Sequence, residues 1–138
     1  MEQGDQEFRS NNPLTERIIG CCIAVHRALG PGLLESAYEQ CLCRELEIEG
    51  LHFERQVPIR FDYRGTLVEC GYRVDLVVCD QVAIELKSVE QFERVHLAQL
   101  LTYLKLGEYP MGLLINFNVA SLRQGLRRVT LHTNLVIS

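Results

Sequence analysis

Apolar residues recur at helical spacing between residues 13 and 29, where Leu14, Ile18, Cys21 or Cys22, Val25 and Leu29 form one stripe. That spacing predicts an amphipathic helix. Asn12-Pro13 offers an N-cap with proline at the first helical position, and Gly30-Pro31-Gly32 stops the helix. A second helix is predicted from about residue 33 to residue 49, with Leu34, Tyr38, Cys41, Leu42 and Leu46 on its stripe and Gly50 closing it. The period then changes to two. Val57, Ile59, Phe61 and Tyr63 alternate with Gln56, Arg60, Asp62 and Arg64, which predicts a strand with one wet face. A turn at Arg64-Gly65-Thr66 returns the chain through a strand over 67–78, where Gly71 marks a bulge or bend, and 82–88 is the third strand of the meander. Helical spacing resumes over 91–107, with Leu97, Leu100, Leu101 and Leu104 facing the core and His96, Gln99, Tyr103 and Leu106 on a separate face. Residues 111–117 are predicted as a strand buried on both faces, 118–125 as a polar loop and 126–131 as an edge strand. The expectation is an α/β fold whose mixed central sheet of four to five strands is flanked by helices.

One stretch breaks the pattern. Asp75, Glu85 and Lys87 are set into the apolar runs of residues 72–88, and a charge on a buried strand is costly unless paired, hydrogen-bonded or bound to a metal. The cluster is either a structural set of ion pairs or a reaction centre. Glu85 and Lys87 share a strand face, about 7 Å apart. Asp75 joins them only if the hairpin register allows it. A three-residue loop, Cys79-Asp80-Gln81, pairs Asp75 with Glu85, whereas a two-residue loop, Asp80-Gln81, turns Asp75 to the other face. Glu35 lies within about 20° of Leu42 and Leu46 on a helical wheel. It is therefore either aimed along the buried stripe, on the sheet face that carries the pair, or placed in the first turn to complement the helix dipole.

Length and composition narrow the setting. The 138 residues are expected to form one domain over 1–138, with 1–11 a flexible polar start. No apolar run approaches the roughly 20 residues of a membrane span, and the acidic first residues do not resemble a secretory signal. A cytoplasmic protein without a membrane partner is the expectation. The six cysteines, at 21, 22, 41, 43, 70 and 79, include no Cys-x-x-Cys pair and are read as reduced apolar residues. His26, beside the first stripe, is read as structural. A net charge of −4 counts against strong non-specific binding to nucleic acid, leaving Lys105, Arg123, Arg127 and Arg128 as candidate phosphate contacts.

Carboxylates without histidine or cysteine suit a hard cation, Mg²⁺ or Mn²⁺, and a lysine beside them suits phosphodiester hydrolysis. Asp75 followed by Glu85-Leu86-Lys87, after a helix bearing Glu35, resembles the PD-(D/E)xK nuclease superfamily. Gln99-Leu-Leu-Thr-Tyr103 is similar to the QxxxY motif of several of its branches, and Gly32-Leu-Leu-Glu35-Ser-Ala-Tyr38 resembles the signature of the GxxExxY proteins. Tyr72-Arg-Val-Asp75 and Leu114-Ile-Asn-Phe117 fit the same family, although Val74 stands where the superfamily motif has proline. The resemblance implies a restriction-endonuclease-like α/β/α sandwich. It implies Glu35, Asp75, Glu85 and the Leu86 carbonyl as metal ligands, Lys87, Glu85 and Asp75 as the catalytic set, and Gln99 and Tyr103 as substrate-side residues. The implied activity is Mg²⁺-dependent (or Mn²⁺-dependent) cleavage of nucleic acid, DNA first, with a homodimer or partner protein enlarging the binding surface. The other reading is an inactive nuclease-fold module that binds protein or nucleic acid.

Overall fold

The computed structural model describes residues 12–131 and the two-residue strand at 136–137, so the expected polar start at 1–11 lies outside the described residues. Helix α1 spans Pro13–Leu29, and its first turn is capped by Asn12, whose side chain accepts the Thr15 N–H at 3.0 Å. Helix α2 spans Glu35–Ile48 and is closed by Gly50 at φ +75°. Strands β1 (Phe53–Tyr63) and β2 (Thr66–Val78) form a long antiparallel hairpin whose turn residues, Arg64 and Gly65, both have positive φ, as a type I′ turn requires. Strand β3 (Val82–Lys87) runs antiparallel to β2 and parallel to β4 (Met111–Asn116), with helix α3 (Arg94–Gly107) as the crossover. A short 3₁₀ turn at Leu122–Gly125 leads to β5 (Leu126–Thr130), which pairs with β6 (Val136–Ile137).

The sheet order is β1-β2-β3-β4-β5-β6. Helices α1 and α2 cover one face through Ile18, Cys22, Leu42 and Leu46 packed on Leu76, Ile84, Leu86 and Leu113. Helix α3 covers the other face through Leu100, Tyr103 and Leu104 against Val77, Ala83 and Leu114. Burial on both sides explains why β3 and β4 lose the alternation that β1 keeps. Ends shift by one to three residues from the pattern-based expectation, most at the start of α3. There the Glu93 N–H donates to His96 Nδ1 at 3.0 Å, so the chain enters the helix only at Arg94. His96 is thereby a helix cap.

Gly71 has φ +85°, and around it β2 carries two more residues than β1 between the pairs Pro58–Arg73 and Arg60–Glu69. This is the bulge its sequence position suggested. The cysteines are free thiols, and burial pushes those of Cys21, Cys22 and Cys43 up, which keeps them neutral in the core. His26 is 8 % exposed, and its Nε2 lies 2.8 Å from the Val119 carbonyl, a structural role.

Candidate active site

The hairpin between β2 and β3 has the three-residue loop. Val78 pairs with Val82, Leu76 with Ile84, and Cys79 and Asp80 take left-handed backbone at φ 53° and 58°. Continuing that register places Asp75 opposite Glu85. The ladder does not continue as main chain, however. The Asp75 N–H donates to Glu85 Oε1 at 3.0 Å, and the Leu86 N–H donates to Asp75 Oδ2 at 2.8 Å. Each carboxylate thus replaces a carbonyl of the opposite strand where the two strands part. The alternation of β2 slips by one at this point, since Val74 and Val77 both pack on the α3 side while Leu76 and Val78 pack on the α2 side.

Two carboxylates side by side and shielded from water repel each other. Burial, then the charge of Asp75, pushes the Glu85 carboxyl up to about 7, and burial also raises Asp75. Lys87 is half-buried on the Glu85 face of β3 and opposes both shifts. It forms no ion pair within 4.0 Å among the described residues. For Glu85 the stability consequence has a definite sign. Below about 4.5 the carboxyl is protonated in folded and unfolded chains alike, whereas between 4.5 and 7 only the folded chain retains the proton. Stability is therefore lost as pH rises through this window. The unfolding midpoint of the metal-free protein should fall across it, and Glu85→Gln should flatten the slope. An equal slope in that variant would assign the effect elsewhere.

Glu35 approaches this pair from the rim, and its charge adds a smaller push to the Glu85 carboxyl. It is exposed in the first turn of α2, the helix whose buried residues pack on the α1 side of the sheet. Helix α2 has to bury Tyr38, Leu42 and Leu46, which leaves its first turn at the rim of the sheet. From there Glu35 Oε2 accepts the Ser88 N–H at 3.3 Å, just beyond the end of β3. Among the described residues no three acidic, histidine or cysteine side chains are grouped to hold a metal ion. Glu35, Asp75 and Glu85 therefore do not form a ready three-carboxylate cage in this conformation.

The rest of the Gly32-to-Tyr38 motif has a mechanical explanation. Tyr38 is fully buried and stacked on Phe117, with ring centroids 4.4 Å apart. Its hydroxyl donates to the Gly30 carbonyl at 2.6 Å and accepts the Leu33 N–H at 3.1 Å. Gly32, at φ +107°, lets the chain turn between these two anchors. The Leu33 carbonyl then accepts the Ser88 hydroxyl at 2.6 Å. Asn116 ties down the same exit from β3, with Nδ2 donating to the Val89 carbonyl at 2.8 Å and Oδ1 accepting the Val89 N–H at 3.1 Å.

On the α3 side Tyr103 is buried, and its hydroxyl is pushed up to about 12, first by burial and then by the charge of Glu85. Gln99, one turn earlier, is half-buried. Of the basic candidates, Arg123 and Arg128 line one cleft together with Glu16. Arg128 pairs with Glu16 at 2.7 Å, Arg127 lies 5.4 Å over the Phe92 ring, and Arg123 also lines a cleft with His26 and Arg27. Two residues at the centre lie outside the sequence reading. Glu39, 7 % exposed, is bonded by Arg55 and by Gln56, and the Gln56 amide also reaches Asp75. The helical-wheel test that selected Glu35 also admits Glu39, which is seven residues before Leu46. Gln56 carries no such signal.

No curated protein and no solved structure matches the chain, and no helix among the described residues is long and apolar enough to cross a membrane. A family model does match, over residues 12–129, from the cap of α1 to the penultimate residue of β5. The match spans the opened hairpin, both helices that reach it and the crossover, and by it the chain belongs to the PD-(D/E)XK nuclease superfamily.

Proposed function

We propose that the chain is a divalent-metal-dependent nuclease that hydrolyses phosphodiester bonds, with DNA as the expected substrate. The observation carrying this reading is the pair Asp75 and Glu85, which meet through each other's strand backbone with Lys87 on the face of Glu85. The donor set fits a hard cation, because it is built of oxygen atoms and its like charges are relieved by positive charge. Asp75 and Glu85 would hold the ion, with the Leu86 carbonyl as a further ligand. Bound there, Mg²⁺ or Mn²⁺ supplies Lewis-acid stabilisation of the phosphoryl oxygens. Lys87 orients the attacking water and stabilises negative charge developing on the phosphate. Glu35 acts from the rim through Ser88, and Gln99 and Tyr103 contact substrate from the α3 side. A second copy or a partner protein would supply the substrate surface that so small a chain lacks.

The test is incubation of plasmid, single-stranded and branched DNA, and of RNA, with Mg²⁺ or Mn²⁺. The expected result is cleavage that chelation abolishes and that Asp75→Asn removes. A non-catalytic binding module is the second reading. It is favoured by the lack of a three-donor group among the described residues and by the net charge of −4. Calorimetric titration separates the two: absence of Mn²⁺ uptake at millimolar metal, in wild type and in Asp75→Asn alike, would establish the module.

A further inference from the structure

Gln56 combines an exposed position with an uncommon backbone. Its φ is 51°, a left-handed conformation that residues other than Gly, Asn and Asp seldom adopt. The Arg73 guanidinium donates to its carbonyl at 3.3 Å. Gln56 lies between the pairs Arg55–Leu76 and Val57–Val74, and so opposite Asp75. From this backbone its amide nitrogen donates to Glu39 Oε1 at 3.0 Å and to Asp75 Oδ1 at 3.3 Å. The remaining oxygen of each carboxylate is also held, Glu39 Oε2 by Arg55 at 3.0 Å and Asp75 Oδ2 by the Leu86 N–H at 2.8 Å.

The chemistry of this bridge is selective. An amide NH₂ carries two donors and no net charge. It can therefore hold two carboxylates in place without neutralising either, as a lysine or arginine would. Arg55 balances Glu39 on the far side, so the charge of Asp75 stays available to a cation. A strained, exposed residue whose side chain spans two anions is poor value as a core contact. As an outer support for a metal ligand it has a function, because such supports fix the orientation of the ligating group.

We propose that Gln56 is a positioning residue: its amide, anchored on Glu39, fixes the Asp75 carboxylate in the orientation that binds the divalent cation. The proposal rests on the nuclease reading. Gln56→Gly suits the left-handed backbone and deletes the amide. Gln56→Asn also tolerates that backbone but is one methylene too short to span both carboxylates. Each variant should fold with an unfolding midpoint near that of wild type and lose about 10- to 100-fold in Mn²⁺ affinity by calorimetry. A metal-free measurement accompanies this one. The side-chain amide resonances of Gln56 should be displaced by Glu39→Gln and by Asp75→Asn separately. Resonances that move in neither variant would overturn the bridge. Resonances that move, with wild-type Mn²⁺ affinity in both Gln56 variants, would overturn the positioning role. A wild type that takes up no Mn²⁺ defeats the nuclease reading, and with it the role of Gln56, whatever the amide resonances show.

Discussion

Lys87→Ala should lower the rate of metal-dependent phosphodiester cleavage by about 10²- to 10⁴-fold, while Mn²⁺ affinity holds or rises. The two effects have different sources. Lys87 ends β3 on the face of Glu85, half-buried and without an ion pair among the described residues, so its removal breaks few native contacts. Its positive charge nevertheless stabilises the ionised forms of Asp75 and Glu85. A second cation entering beside those carboxylates is repelled by that same charge, and removing the lysine removes the repulsion. The comparison is made at a pH well above about 7, where Glu85 stays ionised and protons do not compete with the metal. What is lost is a donor aimed at charge that develops only in the transition state, and such losses fall on kcat. Single-turnover cleavage at saturating Mn²⁺, with calorimetry on the same preparations, checks both. An undiminished rate would take Lys87 out of the chemistry, and a parallel collapse of metal affinity would make it structural.

The fold was legible because each element announces itself at short range. The period-3.6 stripes of α1 and α3, the period-2 stretch of β1, and the Gly and Pro punctuation are properties of windows about a dozen residues long. The centre of the site was only half legible. Glu85 and Lys87 share a face by alternation alone, but Asp75 depended on whether Cys79 counts in the loop. The structure resolves this with left-handed backbone at both Cys79 and Asp80, a conformation unusual for cysteine. Side chains acting as main-chain acceptors, as Asp75 and Glu85 do, are invisible to any periodic template, because they occur where the ladder fails. Gln56 was hidden for the same reason. It looks like one polar residue on the wet side of a strand, and its importance comes from a positive φ and from Glu39, 17 residues earlier. Glu35 stands in the first turn of its helix, one of the two places the sequence allows it, and from there its charge still reaches Glu85. A position on the helical stripe does not say how close the first turn comes to the strand ends.

Tyr38→Ala should cost about 3–5 kcal/mol of stability, the range for deleting a large buried aromatic ring. Tyr38→Phe isolates a different role. The phenylalanine keeps the stack on Phe117 and loses only the hydroxyl that joins Gly30 to Leu33. Both partners are part-buried, so water can replace some of the lost bonding, and the expected cost is about 1 kcal/mol. The functional loss should exceed what that cost suggests. Leu33 accepts the Ser88 hydroxyl, and Ser88 donates its N–H to Glu35, so slack in the turn reaches the end of β3 one residue from Lys87. Denaturant unfolding gives the stability change, and amide exchange at Leu33 tests the anchor directly. Exchange at Leu33 as slow in Tyr38→Phe as in wild type would show that the turn holds without the hydroxyl. The tyrosine of the motif would then be needed for its ring alone.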